Sequence, residues 1–160
     1  MRDDSPTRDG GAVPLVGPLA PFSPMVGIWV GRSEGVFGAT EVEKRGQFVL
    51  GGKFFQIASR SVSDDEVHED IGIFSFDEEA GTLVLREFHI GGYVNTYREV
   101  ESEDDSLVFE SEQIENPPSP TLRARISLWP GDDRLRETLE LASGEEPLSL
   151  CVDARLARPD

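Results

Sequence analysis

The chain has 160 residues, of which 38% are hydrophobic and 29% are charged, so it is long enough and apolar enough to bury one core. Acidic residues number 31 and basic residues 15, and the resulting net charge of −16 excludes nucleic acid and anionic membrane surfaces as favoured partners. The single cysteine, Cys151, excludes an intramolecular disulfide and a multi-cysteine metal site.

The same composition suggests where the protein works. No stretch reaches the roughly 20 apolar residues that a membrane-spanning helix needs, and the first residues lack the basic-then-apolar order of a signal peptide. The sequence therefore predicts a cytoplasmic protein without membrane insertion. Only Lys44 and Lys53 are lysine, and this acid-rich, lysine-poor composition predicts a halophilic or salt-tolerant origin. A GC-rich genome is the alternative explanation for the excess of arginine.

The first 24 residues differ in composition from the rest of the chain. They contain five prolines and three glycines, a density that removes hydrogen-bond donors and blocks both helix and sheet. We therefore predict an irregular N-terminal arm over residues 1–24, followed by one domain over residues 25–158. Leu19, Phe22 and Met25 are apolar, which indicates that the end of the arm lies across one end of the fold.

From Gly27 onward, short segments rich in Val, Ile, Leu and Phe recur about every 12 to 13 residues, with turn-forming residues between them. No window keeps a 3.6-residue apolar period over three turns, so no long helix is expected. The predicted strands are 27–34, 40–49, 53–62, 67–76, 82–89, 93–100, 106–114, 121–129, 133–142 and 148–157.

Ten strands joined by short turns predict an all-β fold, a ten-stranded antiparallel up-and-down β-barrel, because closure removes the exposed sheet edges. A sandwich of two sheets is the competing closure. Barrel diameter grows with strand number, and about eight strands already leave room for one small ligand. A ten-stranded barrel is therefore expected to enclose a cavity, unless bulky side chains fill it.

The two histidines are the first candidates for chemistry. His68 stands next to Glu69 and near Asp70, and pairing with either carboxylate would orient its ring and raise its pKa. A zinc site needs three or four converging ligands, which His68, His89 and one cysteine supply poorly. We interpret both histidines as hydrogen-bonded structural residues and predict no metal site.

Other candidates have structural interpretations as well. Trp29, between Gly27 and Gly31, is expected to cap one barrel end or line the base of a pocket. Cys151 lies on the less apolar face of the last strand and is typical of a small buried hydrophobe. Most central-strand arginines should pair with surface carboxylates. The alternative is that one or two point inward and hold a ligand carboxylate. These arginines are Arg86, Arg98, Arg123, Arg125, Arg134 and Arg136.

Four short motifs occur in a recognisable order. They are Gly27-x-Trp29-x-Gly31 with Gly35, then His68-x-Asp70-x-Gly72, then Gly92-Tyr93-Val94, and finally Pro147-Leu148 followed by Ala154-Arg155-Leu156 and Arg158. Together they resemble the nitrobindin-like haem-binding β-barrels, a ten-stranded branch of the calycin group that includes the fatty-acid-binding proteins. The resemblance covers about residues 19–158 and implies a calycin-type barrel.

One departure limits what the resemblance implies about function. The family's haem-ligating histidine lies in the final strand, three residues after the leucine of the Pro-Leu pair, and Cys151 occupies that position here. Haem b, and with it the family's isomerisation of peroxynitrite on ferric haem, would then depend on Cys151 as a thiolate axial ligand. The barrel itself does not depend on this residue.

The sequence thus favours a non-enzymatic carrier that needs no cofactor and binds a small, mainly apolar or amphipathic molecule inside the barrel, as lipocalins and fatty-acid-binding proteins do. The alternatives are a ferric-haem nitrobindin-like peroxynitrite isomerase and a plugged barrel that acts as a structural or interaction module. Whether the chain forms a homodimer is left open. The predicted cavity or mouth residues are Trp29, Phe55, His68, His89, Tyr97 and Cys151.

Overall fold

A computed structural model describes residues 17–160, so residues 1–16 of the predicted arm lie outside the described part. A short 3₁₀ helix, Ala20–Met25, precedes ten strands. The strands are β1 (Gly27–Gly35), β2 (Thr40–Val49), β3 (Phe54–Val62), β4 (Val67–Asp77), β5 (Thr82–His89), β6 (Val94–Val100), β7 (Leu107–Glu115), β8 (Leu122–Pro130), β9 (Arg134–Ser143) and β10 (Ser149–Ala157).

The ten strands form one closed barrel. Each strand pairs in antiparallel fashion with its neighbours along the chain, and β1 closes the ring by pairing with β10, for example Gly31 with Leu156. The predicted all-β antiparallel barrel is confirmed, and every predicted strand end lies within one residue of the observed end. The alternative of a two-sheet sandwich is wrong, because β1 pairs on both sides and leaves no open edge.

The 3₁₀ helix closes one end of the barrel. Its prolines, Pro21 and Pro24, fit a helix of only six residues, in which few backbone N–H groups need partners. The prediction of irregular chain is therefore wrong for residues 20–24, which belong to this helix. The predicted domain boundary at residue 24 stays a prediction. Gly46 of β2 allows the helix to approach, because a side chain there would overlap the carbonyl oxygen of Met25 and the ring of Phe55.

The closed end is filled with aromatic side chains. Phe22 from the helix stacks on Phe55 at a centroid distance of 5.2 Å and contacts Phe74 at 4.3 Å. Phe48 and Phe109 complete the cluster from β2 and β7. All five rings are buried, so this half of the barrel is a solid core.

Trp29 ties the helix to the barrel. Its indole Nε1 donates a hydrogen bond to the carbonyl of Met25 at 3.0 Å. The guanidinium of Arg158 lies 3.9 Å from the centroid of the Trp29 ring and donates a hydrogen bond to the carbonyl of Pro24 at 2.9 Å. The two ends of the described chain therefore meet at the closed end of the barrel.

Among residues 17–160 there is no helix with the length and apolar character that crossing a membrane requires.

Candidate functional site

The other half of the barrel is hollow. A cavity of about 450 Å³ opens at the end formed by the β1–β2, β3–β4, β5–β6 and β7–β8 turns. This volume lies within the range of about 300–1,000 Å³ that is usual for small-molecule sites. The barrel is therefore not plugged along its whole length. The alternative of a structural or interaction module assumed a plugged interior, so the cavity argues against it. The rim of the opening is formed by Phe37, Gly38, Ser63, Glu66, Tyr93 and Pro118.

The cavity has two chemically different walls. Strands β2 to β6, with one residue of β9, supply polar and ionisable side chains, whereas β8 to β10 supply mostly apolar ones. The polar wall comprises Lys44, Ser59, Ser61, His68, Asp70, Glu87, His89, Asn95, Tyr97 and Glu137. The apolar wall comprises Leu122, Ile126, Leu139, Leu141, Val152 and Ala154.

An inward-facing ion pair lies across the floor of the cavity. Lys44 Nζ lies 2.7 Å from Glu137 Oε2 and donates a hydrogen bond to Ser59 Oγ at 2.8 Å. Burial disfavours the charged lysine, but the carboxylates of Glu137, Asp70 and Glu87 outweigh this effect and raise the pKa of Lys44. Lys44 is therefore a charged ammonium inside the barrel.

The two histidines face each other on the polar wall. His68 Nε2 lies 3.3 Å from His89 Nδ1 and 3.5 Å from Asp70 Oδ2. The hydrogen bond to Asp70 raises the pKa of His68 despite its partial burial. Burial alone would raise the pKa of Asp70, but His68 and Lys44 reverse the direction and lower it, so Asp70 is ionised.

His89 is the more enclosed of the two. Its ring stacks on Tyr93 at 4.1 Å, and its Nε2 lies 2.8 Å from Glu87 Oε1. That oxygen lies off the N–H direction, so Nε2 has no aligned hydrogen-bond partner among residues 17–160. Burial raises the pKa of Glu87, with Asp70 acting in the same direction and His89 against it.

A second polar pair lies beside Glu87. Asn95 Nδ2 donates a hydrogen bond to the hydroxyl oxygen of Tyr97 at 2.9 Å, while the buried Asn95 Oδ1 has no partner among residues 17–160. Burial and the nearby Glu87 raise the pKa of Tyr97 well above its ordinary value. The tyrosine is therefore a neutral hydroxyl, and Asn95 Oδ1 is free to accept a hydrogen bond from a ligand.

Cys151 reaches the cavity through an irregularity in β10. The pairing of β10 with β9 shifts by one residue between Leu150 and Val152, which leaves Cys151 as the extra residue of a β-bulge. The bulge turns Cys151 inward, although strict alternation in the sequence placed it on the outer face. Both Cys151 and Val152 consequently line the cavity.

The residues predicted to line the site fall into two groups. His68, His89, Tyr97 and Cys151 line the cavity, and the structure brings the histidines into contact. Trp29 and Phe55 instead lie in the packed closed end, outside the cavity lining. Ligand binding by any of the six stays a prediction.

Sequence reasoning missed the charged residues of the polar wall, and a usable signal was present. Glu87 follows Leu83 and Leu85 at a spacing of two, and Glu137 lies between Leu135 and Leu139 at the same spacing. Period-two alternation assigns both glutamates to the inner face. A charged residue in the inward-facing register of a strand whose other inward residues are apolar is thus the sequence feature that indicates this site.

The surface pairing expected for most of the central-strand arginines is observed, and the alternative of one or two inward arginines is wrong. Arg98 pairs on the outer surface with Glu112 at 2.8 Å, Arg125 with Glu110 at 2.6 Å, and Arg136 with Asp153 at 3.0 Å. Within residues 17–160, the only lysine or arginine that lines the cavity is Lys44. The arginines alternate with inward apolar residues on their strands, so period two directs them outward.

The residues present do not fit a haem group held by Cys151. The Cys151 sulfur donates a hydrogen bond to the carbonyl oxygen of Ser149 at 3.5 Å. A ligating thiolate needs a nearby positive charge, whereas the ionisable side chains of this cavity include three carboxylates, Asp70, Glu87 and Glu137. We derive no haem chemistry from this site.

Comparison with known proteins supports the fold only. No family model matches the chain, and no curated protein matches it by sequence. Among solved structures, it is similar to the crystal structure of Rv2717c from M. tuberculosis, with 20% sequence identity and a TM-score of 0.66. The match covers 91% of this chain and 99% of the other. At this identity the likeness shows the fold alone.

Proposed function

We propose that the protein binds a small amphipathic molecule in the hollow half of its barrel. The observation that carries this proposal is the division of one 450 Å³ cavity into a polar wall and an apolar wall. The apolar body of the ligand would lie on Leu139, Leu141 and Ile126, where burial contributes about 25 cal/mol per Å² of apolar surface. Its polar end would then face β4 to β6.

The charge of the polar wall favours one kind of polar end. Three inward carboxylates, Asp70, Glu87 and Glu137, face one ammonium, Lys44, and Lys44 is already paired with Glu137. A ligand carboxylate would face these carboxyl groups without a free lysine or arginine among the described lining residues, whereas an amine or hydroxyl would donate hydrogen bonds to these oxygens and to Asn95 Oδ1. The proposed ligand therefore has a neutral or cationic, donor-bearing end, which distinguishes it from a fatty acid.

Three probes with the same ten-carbon chain test this proposal. Decylamine, decanol and decanoate are titrated calorimetrically into the protein at low and high salt, because salt screens attraction to the acidic surface. We expect decylamine and decanol to bind at one site with at least about tenfold higher affinity than decanoate, a difference of about 1.4 kcal/mol. Absence of saturable binding by any probe would overturn the proposal, and a preference for decanoate would overturn the assignment of the polar end.

A hemin titration addresses the alternative that the sequence left open. Among residues 17–160 the only lysine or arginine that lines the cavity, Lys44, is already paired with Glu137, so we expect no thiolate-type Soret band on addition of ferric haem. A Soret band that Cys151→Ala abolishes would replace the carrier proposal with the haem-binding alternative.

A further inference from the structure

We propose that His68, Asp70 and His89 form a binding site for a divalent first-row transition-metal ion, of which Zn²⁺ is the natural candidate. One donor atom from each residue lies within 4.8 Å of the others. Two imidazoles and a carboxylate are a donor set that suits such ions, and three protein ligands leave a position open for water or for the polar end of a ligand. The proposal is independent of the amphipathic ligand.

The spacing of the donor atoms fits a metal ion. In a tetrahedral site with metal–nitrogen distances of about 2.0–2.1 Å, neighbouring donors are about 3.3–3.4 Å apart. His68 Nε2 lies 3.3 Å from His89 Nδ1 and 3.5 Å from Asp70 Oδ2. Two of the three donor–donor distances therefore match a tetrahedral site, and the third pair, His89 and Asp70, lies within 4.8 Å.

The strands hold these side chains in place. Asp70 of β4 is paired directly with His89 of β5, and His68 stands two residues before Asp70 on the same face of β4. His89 is further fixed by stacking on Tyr93. Ligands on adjacent strands of a closed barrel are more rigid than ligands on loops, which reduces the ordering cost of metal binding.

The surroundings of the three donors also favour a cation. The carboxyl groups of Asp70, Glu87 and Glu137 line this wall, and among residues 17–160 the only lysine or arginine that lines the cavity, Lys44, is already paired with Glu137. Carboxyl oxygens and imidazole nitrogens are donors that a divalent first-row ion accepts, whereas an anion would find few free hydrogen-bond donors here.

Glu87 lies where a carboxyl group that hydrogen-bonds a metal-binding histidine would be needed. Metal-bound histidines usually direct their second ring nitrogen toward a carboxylate, which fixes the ring and its tautomer. If His89 binds the metal through Nδ1, its Nε2–H has Glu87 Oε1 only 2.8 Å away, and a rotation of that carboxyl group into line with the N–H would complete the hydrogen bond.

The test uses tag-free, full-length protein, because the chain contains only these two histidines. Zn²⁺ is titrated calorimetrically, and the two imidazole ¹H–¹⁵N signals are followed by NMR. We expect one Zn²⁺ per chain and a simultaneous shift of both imidazole signals. With Co²⁺ as a spectroscopic probe, visible d–d absorption should saturate at the same ratio. A shift of one imidazole alone, or of neither, would overturn the proposal.

Variants separate the proposed site from the acidic surface. His68→Ala, at a half-buried position, should lower Zn²⁺ affinity more than about 100-fold, and Glu87→Gln should lower it about 10–100-fold as an outer-shell change. Glu69→Gln is the matched control, because Glu69 lies between His68 and Asp70 but is 54% exposed and pairs with Arg60. If His68→Ala binds Zn²⁺ as tightly as Glu69→Gln while retaining its β-sheet circular dichroism, the site does not exist.

Discussion

The two halves of the barrel are built from the same ten strands but have opposite interiors. At the closed end, the inward positions carry rings such as Phe55 and Phe74, which pack against Phe22 of the 3₁₀ helix. At the open end, inward positions of the same strands carry Ser59 on β3 and Asp70 on β4. Side-chain size and charge along each strand therefore decide where the barrel is a core and where it is a cavity.

This difference separates stability from binding. The aromatic end removes apolar surface from water and should supply most of the free energy of folding. The hollow end keeps charged groups partly buried at a cost to stability, as functional sites commonly do. Changes at the closed end should therefore lower stability and leave ligand binding intact. At the open end, a change that fills the cavity should lower ligand binding with little loss of stability, whereas a change that leaves a buried charge unpaired should lower stability as well.

The largest expected effect is at the closed end. Phe55→Ala removes a fully buried ring that contacts Phe22, Phe48 and Phe74. We expect the free energy of unfolding to fall by about 3–5 kcal/mol in urea titrations. Below the unfolding transition, decanol affinity should stay within about twofold of the original protein, because Phe55 does not line the cavity.

Phe37→Ala is the matched control for that change. Phe37 stands at the rim of the cavity and is 67% exposed. Its removal should change the free energy of unfolding by no more than about 0.5 kcal/mol. Equal losses of stability at Phe37 and Phe55 would show that the closed end is not the main core.

The ion pair of the cavity floor should have the next largest effect. Lys44→Met leaves Glu137 and the neighbouring Asp70 without their ammonium partner, and we expect the free energy of unfolding to fall by about 2–3 kcal/mol. The double change Lys44→Met with Glu137→Leu should restore at least half of this loss, since it removes an unpaired charge. Urea unfolding of all three proteins measures the difference.

Arg45→Met serves as the control for Lys44→Met. Arg45 is the next residue of β2, points outward and pairs with Glu43 on the surface. Its loss should change stability by at most about 0.5 kcal/mol. No stability loss in Lys44→Met would mean that the inward ion pair is fully solvated, and the polar wall would then lose its proposed selectivity.

The fold was predictable from sequence because turn residues and apolar periodicity mark each strand independently of the others. The site was only partly predictable. Polar residues of a strand were expected to point outward, and Lys44, Glu87 and Glu137 were therefore assigned no role. Their period-two spacing from apolar neighbours places them inside the barrel. The bulge that turns Cys151 inward could not be predicted from the alternation of apolar and polar residues in β10. One extra residue exchanges the inner and outer faces on the two sides of the bulge, and the sequence does not show where this happens.

Filling the cavity should affect binding more than stability. Leu141→Trp places an indole on the apolar wall, and we expect decanol affinity to fall at least about tenfold while stability changes by about 1 kcal/mol or less. Leu150→Trp is the control, because Leu150 is 53% exposed and lies outside the cavity lining. Equal affinities in calorimetric titrations of the two variants would place the ligand elsewhere.

The smallest expected effect is a pH-dependent change of the melting temperature, and it concerns the surface residue Asp104. Asp104 accepts hydrogen bonds from the Ser106 hydroxyl, from the Ser106 N–H at 2.9 Å and from the Trp129 indole at 3.1 Å, and these bonds hold its pKa well below the ordinary value of 3.8. Because the folded-state pKa is lowered, this stabilisation is present above about pH 4 and is lost as the pH falls further.

Asp104→Asn should therefore lower the melting temperature slightly at pH 7, with a difference that is constant above about pH 5 and shrinks below pH 4. Asp105→Asn, a change at the exposed neighbour, should leave the melting temperature unchanged. Melting curves followed by circular dichroism across this pH range make the comparison. A difference that grew toward low pH would contradict the proposed cause.

The most direct test of the hollow half as the binding site is NMR of the protein with labelled Ile, Leu and Val methyl groups in the presence of decanol. We expect intermolecular nuclear Overhauser effects from the decanol chain to the methyl groups of Ile126, Leu139 and Leu141, the apolar wall of the cavity. Contacts confined to exposed residues such as Leu50 and Leu150, or no contacts at all, would contradict binding inside the barrel.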